Sequence, residues 1–254
     1  MKSFFSKKSI LRTMAVAAVC MLGTSNAQAQ EFTIQGDLVS SYVWRGIYQG
    51  GAASFQPTLG FSVGNFSLTA WGSTSLSESN KEIDLTAAYK FGEAGPTLSV
   101  ATLWWDGQAD VANGELTNNY FHFKSGDTGH HFEAGLAYTL PIEKFPLSIA
   151  WYTMFAGAGR KTTDEGEEKQ AYSSYVELNY PFSVKGVDLN ATCGVVPYKT
   201  PQYNVNGFAV TNFALKATKA LNFNERFSLP IFVQAIWNPR MEDAHLVFGV
   251  TLKP

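Results

Sequence analysis

Glu82-Ile83-Asp84-Leu85-Thr86-Ala87-Ala88-Tyr89-Lys90-Phe91 decides the fold. Ile83, Leu85, Ala87, Tyr89 and Phe91 alternate with Glu82, Asp84, Thr86, Ala88 and Lys90, so every charge falls on one face of an extended chain. Only a strand sorts side chains with a period of two. An arginine or lysine such as Lys90 placed at mid-bilayer costs about 2–4 kcal/mol, and carboxylates cost less but still pay. If this strand sits in a membrane barrel, its charged face must therefore be the lumen and its apolar face the lipid side.

The same alternation recurs on both sides of it. Phe55, Leu59, Phe61 and Val63 oppose Ser54, Gln56, Thr58 and Ser62, and a two-residue turn at Gly64-Asn65 leads into Phe66, Leu68 and Ala70. Upstream, Phe32, Ile34, Leu38, Tyr42 and Trp44 oppose Thr33, Gln35, Asp37, Ser41 and Arg45. Further strands are expected near 97–106, 131–140, 147–155, 171–182, 187–196, 209–221, 227–237 and 245–253, twelve in all. The expected fold is all-β, a transmembrane antiparallel up-and-down barrel. Short connections near 64, 92–96, 141–146, 183–186 and 222–225 alternate with long ones at 107–130, 156–170 and 197–208, which puts both termini in the periplasm. Tyr120 to Lys124 is an extra extended piece, placed in the third outer loop or as an extension of the next strand. A soluble β-sandwich is the structural alternative.

The compartment follows from the first residues. Lys2, Lys7, Lys8 and Arg12 precede an apolar stretch from Met14 to Leu22, and Ala27-Gln28-Ala29 offers a small-residue cleavage site. Residues 1–29 therefore read as a signal peptide and 30–254 as one barrel domain. The apolar stretch is far short of the twenty or so residues of a spanning helix. Val19 before Cys20 is bulkier than a lipidation site uses, and removing the leader leaves Cys193 without a disulfide partner. Formal charge is -2 with no basic block, which argues against nucleic acid. The expected setting is the outer membrane of a Gram-negative cell, with its lipid and lipopolysaccharide, the barrel-assembly machinery and small polar solutes as partners.

Ser41-Tyr42-Val43-Trp44-Arg45-Gly46, followed by Gln49, resembles the hallmark of the TorF family, a bacterial group of porin-like outer-membrane barrels. Ala70-Trp71-Gly72-Ser73 and Glu82-Ile83-Asp84-Leu85, continuing to Tyr89-Lys90-Phe91, extend the likeness over residues 37 to 91. The resemblance implies a barrel with a transport role and brings no catalytic residue. One departure is the end of the chain, where Lys253-Pro254 stands in place of a terminal aromatic residue.

The candidate chemistry is electrostatic. Inward carboxylates are Asp37, Glu82, Asp84, Glu133, Glu177 and Asp188, and inward bases are Arg45, Lys90 and Lys216. Glu82, Asp84 and Glu133 fall near the outer mouth with Arg45. They form either a cation-selecting constriction or salt bridges that hold the barrel's shape. Most other inward positions, among them Ser62, Thr69, Gly135, Ala150 and Thr192, are small, which leaves room for water unless the 107–130 loop plugs the lumen. Trp44 is expected at the lipid interface and Arg45 inward or at the rim. Two aromatic belts are expected, one of them including Trp44, Phe155, Tyr172 and Trp237.

No metal or cofactor is expected. His130 and His131 are neighbours that diverge on a strand, and no His or Cys spacing suits a metal. Asp164 to Glu168 reads as a solvated acidic loop tip or a divalent-cation contact, and Cys193 should face lipid. A narrow channel for small polar solutes with weak cation preference is the expected function. The alternatives are a plugged structural or adhesive barrel and, third, a surface hydrolase, for which no Gly-x-Ser-x-Gly elbow is present.

Overall fold

The period-two segments pair with their chain neighbours throughout. The computed structural model describes residues 30–78, 81–105, 111–112, 115–116, 119–124, 128–225 and 227–254. The expected leader, 1–29, lies outside them. Twelve antiparallel strands form one closed barrel: β1 (Gln30–Val39), β2 (Ser54–Val63), β3 (Phe66–Ser75), β4 (Lys81–Lys90), β5 (Thr97–Trp105), β6 (His130–Thr139), β7 (Ser148–Gly157), β8 (Ser174–Val184), β9 (Val187–Val196), β10 (Ala209–Asn224), β11 (Phe227–Asn238) and β12 (Asp243–Leu252). The seam closes through Gly36↔Leu252 to Val39↔Gly249. Each end of β5 to β12 falls within three residues of the bound set by the alternation.

Register fixes the faces. Asp84 pairs with Trp71 and Leu103, and Glu133 with Ala101 and Met154, so these side chains point inward together. Leu59, Leu68, Leu136, Leu178, Leu215 and Leu246 are exposed on the outward face. Cys193 pairs with Leu178 and Phe213 on that same face. His130 turns outward beside Trp104 while His131 turns inward beside Leu103, the divergence expected of strand neighbours.

The buried core lies inside the barrel, at the end where strands β1, β3 and β5 finish. Three apolar clusters fill it: Val39, Ala214, Phe232, Ile236 and Val247; Ala101, Leu103, Trp105 and Met154; and Tyr175, Val196, Tyr203 and Val205. Toward the other end the inward side chains are smaller and only half-buried, as at Thr58, Thr69, Ser99, Ala137 and Thr192. The expectation of a lumen lined mostly by small residues therefore holds for that half and fails for the first. The long residues there are the inner wall of a packed plug.

That plug comes from the first long connection. The first strand was expected to run through Arg45, but it ends at Val39. Ser40 N donates to the Phe248 carbonyl, and Ser40 Oγ accepts from Phe248 N at 3.0 Å, so a side chain takes the acceptor place that the next ladder carbonyl would hold. The chain then turns inward as a hairpin, Tyr42–Trp44 paired with Ile47–Gly50. Residues 119–124 of the 106–129 loop instead lie against the outward face. There Tyr120 packs edge-on to Trp104 at 5.5 Å, and Phe123 stacks on His130 at 4.5 Å. They form no barrel strand, in keeping with a place in that loop.

Candidate functional site

Arg45 and Gly46 form the tip of the inward hairpin, both at positive φ, 51° and 81°, as a two-residue type I′ turn between Trp44 and Ile47 requires. A Cβ on Gly46 would overlap the carbonyl oxygen of Thr211, so only glycine fits against β10. The left-handed conformation of Arg45 costs about 1–3 kcal/mol and must be offset by its contacts.

Those contacts are extensive. The Arg45 Nη atoms donate to both carboxylate oxygens of Glu133 at 2.7 Å, and Nη1 also donates to Tyr203 Oη at 2.7 Å. The faces of Trp44, Tyr152 and Tyr175 surround the guanidinium, with centroids 4.6, 4.6 and 4.9 Å from Cζ. The side chains of the pair are only 12% and 6% exposed, so this ion pair is dry enough for its Coulomb energy to matter and for its rupture to cost dearly. Burial pushes the Tyr203 hydroxyl up to about 12, with Arg45 opposing, which keeps it neutral as it accepts from the guanidinium.

The rest of the hairpin is anchored on every side. Trp44 stacks on Tyr203 at 5.6 Å and meets Trp105 edge-on at 5.5 Å. Val43 packs on the first buried cluster, Trp44 on the second and third and Ile47 on the third, while Asn238 Nδ2 donates to the Gly46 carbonyl at 3.0 Å. Tyr48 stacks on His245 at 5.0 Å, and Tyr42 packs against Trp71 at 5.6 Å. The hairpin thus crosses the lumen from the β3–β4 wall to the β11–β12 wall.

Trp44 accordingly corrects an expectation: it faces inward, not lipid, because the strand that would have carried it outward stops at Val39. Among the other belt residues, Phe155, Tyr172 and Trp237 are exposed. The segment that enters the lumen is residues 42–50, and of the 107–130 loop residues 119–124 lie against the outward face.

The structure brings Arg45 and Glu133 together, which separates Glu133 from Glu82 and Asp84 in role. The latter two stand side by side on β4, one strand away from β6, and Glu82 is buried. Glu177 lies deeper and accepts from Tyr175 Oη at 2.8 Å and Asn179 Nδ2 at 2.6 Å. Lys216 Nζ sits 3.9 Å from the centroid of the Phe232 ring. Asp37 shares the lumen wall with it, and its Oδ1 is buried without a hydrogen-bond partner among the described residues. Asp188, accepting from Ser183, and Lys90 are exposed at the far end. In the 158–173 connection, the acidic tip is a small hairpin in which Glu168 lies 3.7 Å from Arg160 and Glu167 2.8 Å from Lys169.

Two bulges aim the walls at the hairpin. One between Phe132 and Glu133 leaves Phe155 unpaired, and one between Gly194 and Val195 leaves Thr211 unpaired. They fall at the levels of Glu133 and of the Gly46 contact. Tyr152 and Tyr175 went unnoticed in the sequence, although Tyr175 lies two positions from inward Glu177 and so had to share its face. Tyr203 gave no signal: it stands in an irregular loop with no period to place it.

Among the described residues no group of three or more His, Cys, Asp or Glu side chains is placed to hold a metal ion. No family model and no curated protein matches the chain. Among solved structures it is similar to the NanC porin, at 9% identity over 87% of this chain and 98% of that one, with a TM-score of 0.47. An outer membrane channel from Pseudomonas putida F1 aligns at 12% identity over 90% and 97%, TM-score 0.43. The translocator domain of the autotransporter NalP from Neisseria meningitidis aligns at 12% over 96% and 94%, TM-score 0.39.

Proposed function

We propose that the chain is an outer-membrane barrel of a Gram-negative cell and a narrow, porin-like channel for small polar solutes with weak cation preference, constricted by its first outer loop. Residues 1–29 serve as the signal peptide, both termini lie in the periplasm, and lipid, lipopolysaccharide and the assembly machinery are its partners. The observation that carries the proposal is the asymmetry of the lumen. One half has small, half-exposed polar walls, and the other is crossed by a hairpin latched through Arg45 and Glu133. The exposed apolar outer face suits lipid, since a closed barrel leaves no unpaired strand edge along its wall. Membership of the TorF family belongs to the same proposal, because its Tyr42–Gly46 hallmark is the segment that builds the constriction.

Cation preference is supported by a change in the charge balance. With Arg45 neutralised by Glu133, Glu82 and Asp84 remain as the unbalanced pair of the mouth. A non-enzymatic role is supported by the outward hydroxyl–imidazole contact found among the described residues. Thr102 Oγ1 lies 2.8 Å from His130 Nδ1, but Nε2 of that ring meets the Tyr120 carbonyl rather than an orienting carboxylate.

Planar-bilayer recording tests the proposal. Small single-channel currents are expected from the parent, and larger or noisier ones when residues 42–50 are replaced by a short Gly-Ser turn. Reversal potentials in a KCl gradient should favour cations, and Glu82→Gln with Asp84→Asn should reduce that preference. Glu133→Gln, which leaves Arg45 uncompensated, should shift it toward anions. A barrel silent in both parent and loop-replaced form returns the chain to the plugged structural or adhesive alternative, which the dry packing around the hairpin favours.

A further inference from the structure

Once Arg45 is matched to Glu133, the β4 carboxylates have no counter-charge in contact with them among the described residues. Glu82 is 2% exposed, and both of its Oε atoms, like Asp84 Oδ1, are buried without a hydrogen bond. The two residues alternate on one strand and so point the same way. Among the described residues the cation whose field reaches Glu82 is Arg45, whose guanidinium is already held by both oxygens of Glu133. The Tyr42 hydroxyl and the Trp105 indole N–H flank Glu82, but Trp105 Nε1 is itself without a partner. Trp71 pairs in register with Asp84, and Tyr42 covers Trp71 from the hairpin.

Two buried like charges do not persist uncompensated: they take up a proton or hold a cation. The same mouth shows the second solution one wall away, where Glu133 holds a guanidinium among Trp44, Tyr152 and Tyr175. On the β3–β5 wall the carboxylates and the rings of Tyr42, Trp71 and Trp105 recur, but the described residues supply no cation in contact with them. The enclosure suits an ion better than an organic cation, and carboxylate and phenol oxygens are hard donors.

We infer that Glu82 and Asp84, beside the Tyr42 hydroxyl, form a subsite for one small metal cation beneath the inward hairpin. Two carboxylates make it weak, with water completing the coordination, and weak binding is what a permeating ion needs in order to leave again. The inference rests on the channel reading in one respect, that ions reach this wall from the water of the lumen.

Terbium luminescence, excited through tryptophan, tests it on the purified full chain folded in detergent, since Trp71 and Trp105 border the pair. Saturable Tb³⁺ emission that Ca²⁺ displaces is expected. Glu82→Gln with Asp84→Asn should raise the half-saturating Tb³⁺ concentration by about tenfold or more. Asp188→Asn, at the far end of the barrel, should leave it unchanged. Heat-modifiable migration on gels establishes that each variant is folded, and Asp84→Asn alone carries the test if the double variant is not. Emission that never saturates, or variants indistinguishable from the parent, overturns the inference. So does a protonated-carboxyl infrared band that persists at neutral pH in saturating Ca²⁺ and vanishes in Asp84→Asn, because a proton is then the counter-charge. Binding is read without flux or potential. Tb³⁺ binding in a barrel that passes no current therefore overturns the channel reading alone, and current without binding overturns the subsite alone.

Discussion

At the scale of single residues, Arg45 does opposite work on two levels. Its backbone is strained and its side chain is the best-satisfied group in the mouth, so the strain is held by the ion pair, the Tyr203 hydroxyl and three aromatic faces. Removing one partner of a buried pair strands the other. Arg45→Met should weaken docking of the hairpin by about 3–5 kcal/mol, whereas Arg45→Met combined with Glu133→Gln should recover much of the loss. Limited proteolysis of residues 40–53 reads this directly, with the barrel still heat-modifiable. Equal protection in parent and single variant would mean that the aromatic stacking of Trp44 holds the hairpin without the charge.

Strands succeed or fail by which face a charge lands on. Leu85 and Leu189 point outward, while Thr86 and Asn190, one residue along, point inward. Leu85→Arg, at the middle of its strand, should impair insertion by about 2–4 kcal/mol and Leu189→Arg, close to a short turn, by less, while Thr86→Arg and Asn190→Arg should assemble. Heat-modifiability after refolding into lipid vesicles separates the two classes, and like behaviour in all four would show the faces to be misassigned. The hairpin is the element to which this logic does not extend. Its residues keep the period of two, but both of its faces meet protein, so Val43 and Trp44 are half-buried alike.

For the molecule as a whole, the barrel fixes sidedness: the hairpin end carries the connection 158–173, and the opposite end the connection 140–147. Single cysteines at Glu165 and Glu143, both exposed, in a Cys193→Ser background, should differ in labelling by an impermeant maleimide on intact cells, with Glu165 the reactive site. Labelling of Glu143 alone would invert the orientation. The twelve strands, their faces and their order were determined by the sequence itself, because alternation is a local property: each ten-residue segment carries its own assignment, and short turns force neighbours to pair. The Glu82–Asp84 face and the outward place of Cys193 were legible for the same reason. Where strand one stops was not, since Ser40 ends it by bonding to Phe248 across the closing seam, a contact between residues 208 positions apart. The pairing of Arg45 with Glu133, the inward turn of Trp44 and the arrival of Tyr203 were likewise decided only by closure. A loop has no period to read, and its energy is set by whichever walls the closed barrel brings around it.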